Sequence, residues 1–461
     1  MNGLLLKGGR VLDPARRRNE AADLRIASGR IIELGRNLEP GTDKVVDCAG
    51  LWIMPGFVDL HTHLREPGFE DAEDVATGTA AAAAGGYTAV CPMANTDPVC
   101  DSPAVAELVL RRASEVGLAD VFPVGAITRG LNGVELTEFG ALRNSSAAVD
   151  CFSDDGRPVA DALMMRRALQ YARTFDAVVC NHSEEPTLTS GAQMNEGATS
   201  SLLGLPGWPR EAEEVMIARD LVLAAGVGAR LHIPHVSTTG SVALIRAAKA
   251  RGVRVTAEAT PHHLVLDDRV VAAYDPNLKV NPPLRTAADA AALRAGLVDG
   301  TIDAVATDHA PHPPDQKEQE WEQAPPGMLG LETAFAVVMT GLVDPEAPHP
   351  NFETGTLDLL TAIARFTTGP ATVRDVAGHG GAIESGAPAH LTVVDPEARW
   401  VVEGRRLRSK ARNTPFEGKK LTTRPVHTLL GGRFTLRDGQ TAPDVSGAPK
   451  TATEVEREGV G

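Results

Sequence analysis

Positive charge is in short supply: 45 lysines and arginines stand against 60 aspartates and glutamates, a formal net charge of −15 over 461 residues. Such a chain has no surplus to neutralise a phosphate backbone or an anionic bilayer. Nucleic acid and membrane are therefore excluded as main partners, although a local basic pocket is still allowed. Cysteine is scarce as well. Cys48, Cys91, Cys100, Cys151 and Cys180 are odd in number and widely spread, with no CxxC pair, which fits reduced core thiols and excludes a disulfide frame. Long apolar runs are missing: MNGLLLKGGRVLDP has three leucines before Lys7, and no later stretch reaches the ~20 apolar residues of a membrane span. The expected location is the cytoplasm.

What is present is a globular composition, 43% hydrophobic and 23% charged, enough to bury a large core. Residues 1–54 give short alternating segments, LLLKGGRVLD and DLRIASGRIIELG, broken by Gly and Asp turns; HLTVVDP, RWVVEG and HTLLGGRFTLRDG near the other end look the same. Between them a short apolar, β-branched run is followed by a loop and an Ala/Leu-rich helical stretch, again and again. The runs lie at 55–63, 86–93, 120–128, 147–155, 176–183, 229–237, 252–260 and 301–310, eight in all.

Near-continuous apolar strands separated by crossover helices predict an α/β fold, a (β/α)8 TIM-type barrel. An open doubly wound sheet ranks second, since no Gly-rich phosphate fingerprint follows the first strand. The expected organisation is a small β-sandwich domain built from residues 1–54 and 376–440, a catalytic barrel over 55–375, and a polar mobile tail over 441–461.

In a barrel the C-terminal ends of the strands converge on the catalytic face. Here they carry His61 and His63, Asp154 and Asp155, His182, His232 and His235, then Asp308, His309 and His312. His61 and His63 are two apart on one strand and share its lumen side. A lone histidine at a strand end is more often a hydrogen-bonded core residue than a ligand. Several histidines with carboxylates at converging ends point instead to a metal, Zn2+ by donor type, with Mn2+, Co2+ or Fe2+ as competitors. Six candidate ligands exceed the three protein groups of a mononuclear catalytic site. Two metals ~3.5–4 Å apart would use them all; with one metal, some would be outer partners of the ligands.

The stretches HTHLREPG (61–68), NTDP (95–98), FSDDGRPV (152–159), NHSEE (181–185), HIPHVST (232–238), TAEATPHHL (256–264), KVNPPLR (279–285), ATDHAPH (306–312) and PPGMLGLET (325–333) resemble, in order, the motifs of class I (long-form) bacterial dihydroorotases of the amidohydrolase superfamily. The resemblance covers roughly residues 1–440. It implies that His61, His63 and Asp308 hold one zinc and His182 and His235 a second, with Asp155 as the bridge. Related dihydropyrimidinases and allantoinases carry a carboxylated lysine there, and this chain has no lysine between Lys44 and Lys249.

The resemblance further implies that Arg65, Asn95 and His312 clamp the substrate carboxylate, that His63, Asn281 and the Pro326–Gly327 backbone also touch substrate, and that Asp308 shuttles the proton. The expected reaction is reversible cyclisation of N-carbamoyl-L-aspartate to (S)-dihydroorotate plus water, in pyrimidine biosynthesis, by an enzyme expected to be a homodimer able to associate with aspartate transcarbamoylase. Two departures are visible: CPMANT stands where the family reads CMPNT, and His390 replaces an acidic residue in GAPAHLTVVDP. Three other functions stay open at this level: a hydantoinase, dihydropyrimidinase or allantoinase type of cyclic amidohydrolase; a non-catalytic scaffold for aspartate transcarbamoylase; and a distant amidohydrolase of another reaction class. The polar stretch 310–330 reads as a lid or binding loop.

Overall fold

A computed structural model describes residues 3–343 and 357–441; the expected tail lies outside the described residues from position 442 onward. Five strands open the chain: β1 (Leu4–Asp13), β2 (Arg18–Ala27), β3 (Arg30–Gly35), β4 (Lys44–Asp47) and β5 (Trp52–Pro55). The β2–β3 hairpin turns on Ser28 and Gly29, with φ of 48° and 76°, the left-handed conformation that matches strand twist in a two-residue loop.

Apart from a separate two-stranded pair, Met194–Asn195 with Gly207–Trp208, eight short strands follow: β6 (Phe57–Thr62), β7 (Tyr87–Pro92), β8 (Asp120–Val121), β9 (Cys151–Ser153), β10 (Val178–Cys180), β11 (Arg230–Ile233), β12 (Val255–Ala259) and β13 (Ala304–Val305). One falls in each expected run. Four more close the chain: β14 (Leu391–Val401), β15 (Lys420–Leu430), β16 (Arg433–Arg437) and β17 (Gln440–Thr441).

The two ends of the chain build one nine-stranded sheet, ordered β17-β16-β15-β14-β5-β1-β2-β3, with β4 also beside β1. They meet where Leu391–Val394 of β14 pairs antiparallel with β5. Leu6, Val11, Leu24, Ile53, Val393 and Leu429 bury its apolar face. The expected small sandwich is thus a single continuous hydrogen-bonded sheet.

The middle strands pair parallel, β6-β7-β8 in one sheet and β9-β10-β11-β12-β13 in another. Parallel bridges Gly125↔Phe152 and Thr62↔His309 join the two sheets at both seams. Every residue of β6 and β7 is buried, as parallel strands covered by helices require. Even Asp59 is enclosed. It accepts hydrogen bonds from the Thr307 N–H at 2.8 Å and hydroxyl at 2.6 Å, strapping β6 to the segment after β13.

Helices α1 (Val75–Ala84), α2 (Pro103–Val116), α3 (Ala162–Arg173), α4 (Glu211–Val227), α5 (Thr239–Ala250) and α6 (Ala287–Asp299) cover the strands. Asp74 caps α1, with Thr77 returning the bond. The Ala-rich α1 can press close because it carries so little side chain: a Cβ on Gly85, just past its end, would lie 2.1 Å from the Leu331 carbonyl oxygen. Among the described residues no helix is long and apolar enough to cross a membrane.

Phe57 at the start of β6 packs on Tyr87, Phe335 and Phe366, with ring centroids 5.7, 4.7 and 5.5 Å away. It is fully buried. Phe57→Ala should lower stability by about 3–5 kcal/mol, seen as an earlier midpoint in urea denaturation followed by circular dichroism; an unchanged midpoint would show that this aromatic cluster is not an anchor of the fold.

Candidate metal and substrate site

At or just beyond the C-terminal ends of β6, β9, β10, β11 and β13 the chain gathers His61, His63, Asp155, His182, His235 and Asp308 into one cluster. The two oxygens of Asp155 face different histidine pairs. Its Oδ2 lies 3.4 Å from His61 Nε2 and 3.5 Å from His63 Nε2; its Oδ1 lies 3.4 Å from His235 Nε2 and 3.6 Å from His182 Nδ1. Asp308 Oδ1 approaches His61 and His63 at 3.4 and 3.3 Å. Backbone geometry is unusual here: His235 and Asp308 have φ of 33° and 46°, a sparsely populated region that clusters at functional sites.

In each of the groups His61–His63–Asp155 and Asp155–His182–His235, the donor atoms lie within 4.8 Å of one another. His61 Nε2 is buried with no hydrogen-bond partner, the condition of a lone pair reserved for a cation. Burial disfavours a charged Asp155, but His61, His182 and His235 outweigh it and hold its carboxyl well below the usual carboxylate range. The same contest holds Asp308 low, through His61 and His63. Burial likewise opposes a charged His182, yet Asp155 and Glu184 push it up to about 10. Anionic carboxylates among buried imidazoles must be balanced by protons or by a cation, and the donor set, imidazole and carboxylate without thiolate, fits a divalent metal.

The other strand-end residues turn elsewhere. Asp154 accepts the N–H groups of Ile127 and Thr128 at 2.7 and 2.9 Å. His309 Nδ1 accepts the Gly330 N–H at 3.2 Å, and its Nε2 lies 3.4 Å from Glu73. His232 sits behind the cluster against Glu258 at 3.0 Å. Glu258 also meets His61 Nδ1 at 3.1 Å, orienting that ring for a ligand on its other nitrogen. Glu184 does the same for His182, 3.1 Å from its Nε2, and accepts Asn281 Nδ2 at 3.1 Å. Neither glutamate was singled out from sequence. The available signal was a carboxylate inside an apolar strand, TAEAT, and another two residues after His182.

A cavity of about 190 Å3 is lined by His63, Asp155, His182, His235 and Asp308 together with Arg65, Asn95, Asn281, His312, Pro326 and Gly327. Arg65 has φ of 62° and its Nε donates to the Pro311 carbonyl at 3.1 Å. The pair of His63 Nδ1 and Asn95 Oδ1 is 2.9 Å apart, while Asn95 Nδ2 donates to the Asp155 carbonyl at 3.4 Å. His312 Nε2 donates to the Pro326 carbonyl at 2.9 Å; burial and Arg65 depress its pKa to about 3, so the ring is neutral. Asn281 Oδ1 is buried and unpartnered. Glu66 takes a structural part: it accepts Arg112 Nε at 2.8 Å and the Val75 N–H opening α1 at 2.9 Å.

Stretch 310–330 is fastened down. Lys317 Nζ donates to the carbonyls of Pro325 and Gly327 at 2.9 and 3.1 Å, and Lys279 Nζ to Trp321 at 2.7 Å. Asn413 Nδ2 reaches the carbonyls of Ala310 and Gly327 at 3.0 and 3.1 Å, while the Gly327 N–H goes to the Lys279 carbonyl at 2.8 Å. Burial pulls the Lys317 ammonium down to about 7.

A third group is formed by Asp120, His379 and His390. His390 Nδ1 accepts the Gly431 N–H at 3.2 Å, so in the neutral ring its Nε2 bears the proton. Both nitrogens of His379 are engaged, by Thr88 and Asp120, each at 2.9 Å. The group is a hydrogen-bonded junction rather than a free ligand set.

The family described as "Dihydro-orotase-like" matches residues 50–241. A protein of Streptomyces coelicolor named "Dihydroorotase" is 51% identical over 441 residues, 95% of this chain and all of the relative. One of Mycobacterium tuberculosis with the same name is 51% identical over 422 residues, 91% and 96% of the two chains. Among solved structures, an L-hydantoinase (dihydropyrimidinase) from Arthrobacter aurescens superposes with a TM-score of 0.83 at 23% identity, covering 96% of this chain and 98% of that one; at that identity the likeness is one of fold.

If Asp155 is a ligand common to both histidine pairs, its loss should release metal from both. Asp155→Ala should therefore retain less metal per chain than His235→Ala, measured by plasma emission on purified protein. Full occupancy in Asp155→Ala would rule out a shared ligand.

Proposed function

The chain belongs to the dihydroorotase family, and from that membership we propose that the cavity interconverts dihydroorotate and N-carbamoyl-L-aspartate. The protein is a hydrolase of a cyclic amide bond. The observation that carries the site assignment is Asp155 set between two imidazole pairs, with Arg65 on the cavity wall. We take the fold as a closed (β/α)8 barrel over residues 55–375, supported by bridges at both seams and by the hydantoinase likeness, with 1–54 and 376–440 as the accompanying β-domain.

In this reading His61, His63 and Asp308 would hold one Zn2+, His182 and His235 would hold another, and Asp155 would be a ligand to both. Divalent metal held there supplies Lewis-acid activation of water and of the scissile carbonyl. Arg65, in a fixed and nearly enclosed place, offers a planar cation to the substrate carboxylate. Asn95 stands beside it, its carbonyl oxygen 2.9 Å from His63 Nδ1. Neutral His312 adds no second charge. The unpartnered Asn281 Oδ1 suits a ring N–H, since a buried acceptor without a donor loses its hydration uncompensated.

During hydrolysis water adds to the ring carbonyl carbon while Asp308 Oδ takes its proton. The carbon–nitrogen bond breaks, and Asp308 returns the proton to the departing nitrogen, which becomes the carbamoyl nitrogen. In reverse the same carboxylate deprotonates that nitrogen as the ring closes. An Asp308 carboxyl held low by its imidazole neighbours starts each cycle ionised. Location in the cytoplasm, a homodimeric state and association with aspartate transcarbamoylase belong to the same proposal, on the family resemblance.

Asp308→Asn should lower kcat in both directions by about 10²–10⁴-fold, followed by ultraviolet absorbance of dihydroorotate with metal content measured alongside; near-normal rates in metal-replete variant would remove the shuttle role. Arg65→Lys keeps the charge and loses the two-pronged fork. Its KM for dihydroorotate should rise about tenfold, the equivalent of ~1.4 kcal/mol, and an unchanged KM would take Arg65 out of the clamp.

A further inference from the structure

On the terminal sheet, away from the catalytic cavity, an acidic chain gathers arginines. Arg405, Arg406, Arg408 and Arg424 line an open pocket of about 580 Å3. Its enclosed end runs down to Trp400 and Glu332. Like charges at close range repel, and among the described residues little on the walls offsets them here. Arg405 and Arg406 share the single carboxylate of Glu403, at 3.0 and 3.1 Å. Arg408 spends its guanidinium on the neutral oxygens of Gly439 and Gln440, at 3.2 and 3.3 Å. Arg424 stacks 5.0 Å over the Trp400 ring. The rim carboxylate, Asp438, is turned to Arg437 at 3.5 Å. Glu332 at the floor accepts the Arg408 N–H at 2.6 Å; burial pushes its carboxyl up to about 7, so at neutral pH it carries only part of a charge. The pocket keeps a net positive surplus inside a protein of net charge −15.

The wall of this pocket is also part of the substrate site's support. From Arg408 the chain runs five residues to Asn413. Along the way the Ser409 hydroxyl bonds Glu73, which faces His309 at 3.4 Å, the neighbour of Asp308. Asn413 then holds the carbonyls of Ala310 and Gly327, and its Oδ1 accepts the His312 N–H at 3.3 Å. Whatever fixes Arg405–Arg408 bears on the backbone beside the substrate.

We propose that the arginine pocket binds a small phosphorylated metabolite carrying at least two phosphate groups, and that its occupancy alters substrate affinity through Arg408–Asn413. Forked guanidiniums recognise phosphate oxygens in pairs, and several of them on one concave wall favour a ligand with more than one phosphate. A free metabolite fits a pocket of this size; a nucleic-acid backbone would need a basic surface far larger than one pocket.

The test is calorimetric titration of the metal-loaded enzyme with inorganic phosphate and with fructose 1,6-bisphosphate. The bisphosphate should bind once per chain and at least tenfold more tightly than phosphate. The double substitution Arg405→Ser, Arg406→Ser should weaken it at least tenfold while leaving kcat without ligand unchanged, and Arg65→Ala should leave binding intact. With the pocket saturated, KM for dihydroorotate should shift at least twofold, an arm that rests on the dihydroorotase reading, whereas the heats do not. No binding at millimolar bisphosphate overturns the proposal. So does binding lost in Arg65→Ala but kept in the double variant, which would place the phosphates in the catalytic cavity. Binding with KM unmoved overturns the coupling.

Discussion

One buried carboxylate organises the centre of this molecule. Asp155 is almost wholly removed from water, where an isolated charge costs several kcal/mol, and it stays ionised only because imidazoles approach each of its oxygens from opposite sides. Those imidazoles come from three different strand ends, so the charge can be balanced only if β6, β9, β10 and β11 are all in register around it. Fold and site are thereby the same constraint seen at two scales. Glu258 and Glu184 extend it outward, each fixing the far nitrogen of a histidine that faces Asp155 or Asp308.

Much of the fold is legible in the chain because parallel strands buried on both faces leave an unmistakable pattern of short apolar runs between helices. The eight strands β6 to β13 fall inside the runs so identified, while the short pair Met194–Asn195 and Gly207–Trp208 lies outside them. The terminal sheet was legible as strand-rich but not in its connectivity: that β14 would dock on β5 depends on contacts nearly 340 residues apart, which local periodicity does not encode. The site was legible wherever position along a strand sets direction, as with His61 and His63. Strand position alone left open the choice between neighbours that depends on partners, and there the motif resemblance supplied the expectation. Asp154 and Asp155 are adjacent, yet one caps the backbone at Ile127 and Thr128 while the other enters the cavity. His232 and His235 divide in the same way.

The stretch 310–330, read from sequence as a lid or binding loop, contributes His312, Pro326 and Gly327 to the cavity wall. Its polarity does not show that Lys317 is enclosed and grips two carbonyls of the same loop. A long aliphatic stem buried along the loop with its ammonium spent on backbone oxygens is how a lysine becomes part of a wall. The sequence shows only a lysine among glutamates and glutamines.

That grip has a thermodynamic sign. A lysine free in water titrates near 10.4, whereas in place Lys317 titrates at about 7, so between these values the fastened loop binds fewer protons than a released one. Fastening therefore gives up protons to solvent and grows firmer as alkalinity increases from about 7, while acid favours release. The hydrogen bonds that hold the Gly327 backbone at the cavity wall are thus coupled to the proton on Lys317, a side chain outside the lining of that cavity.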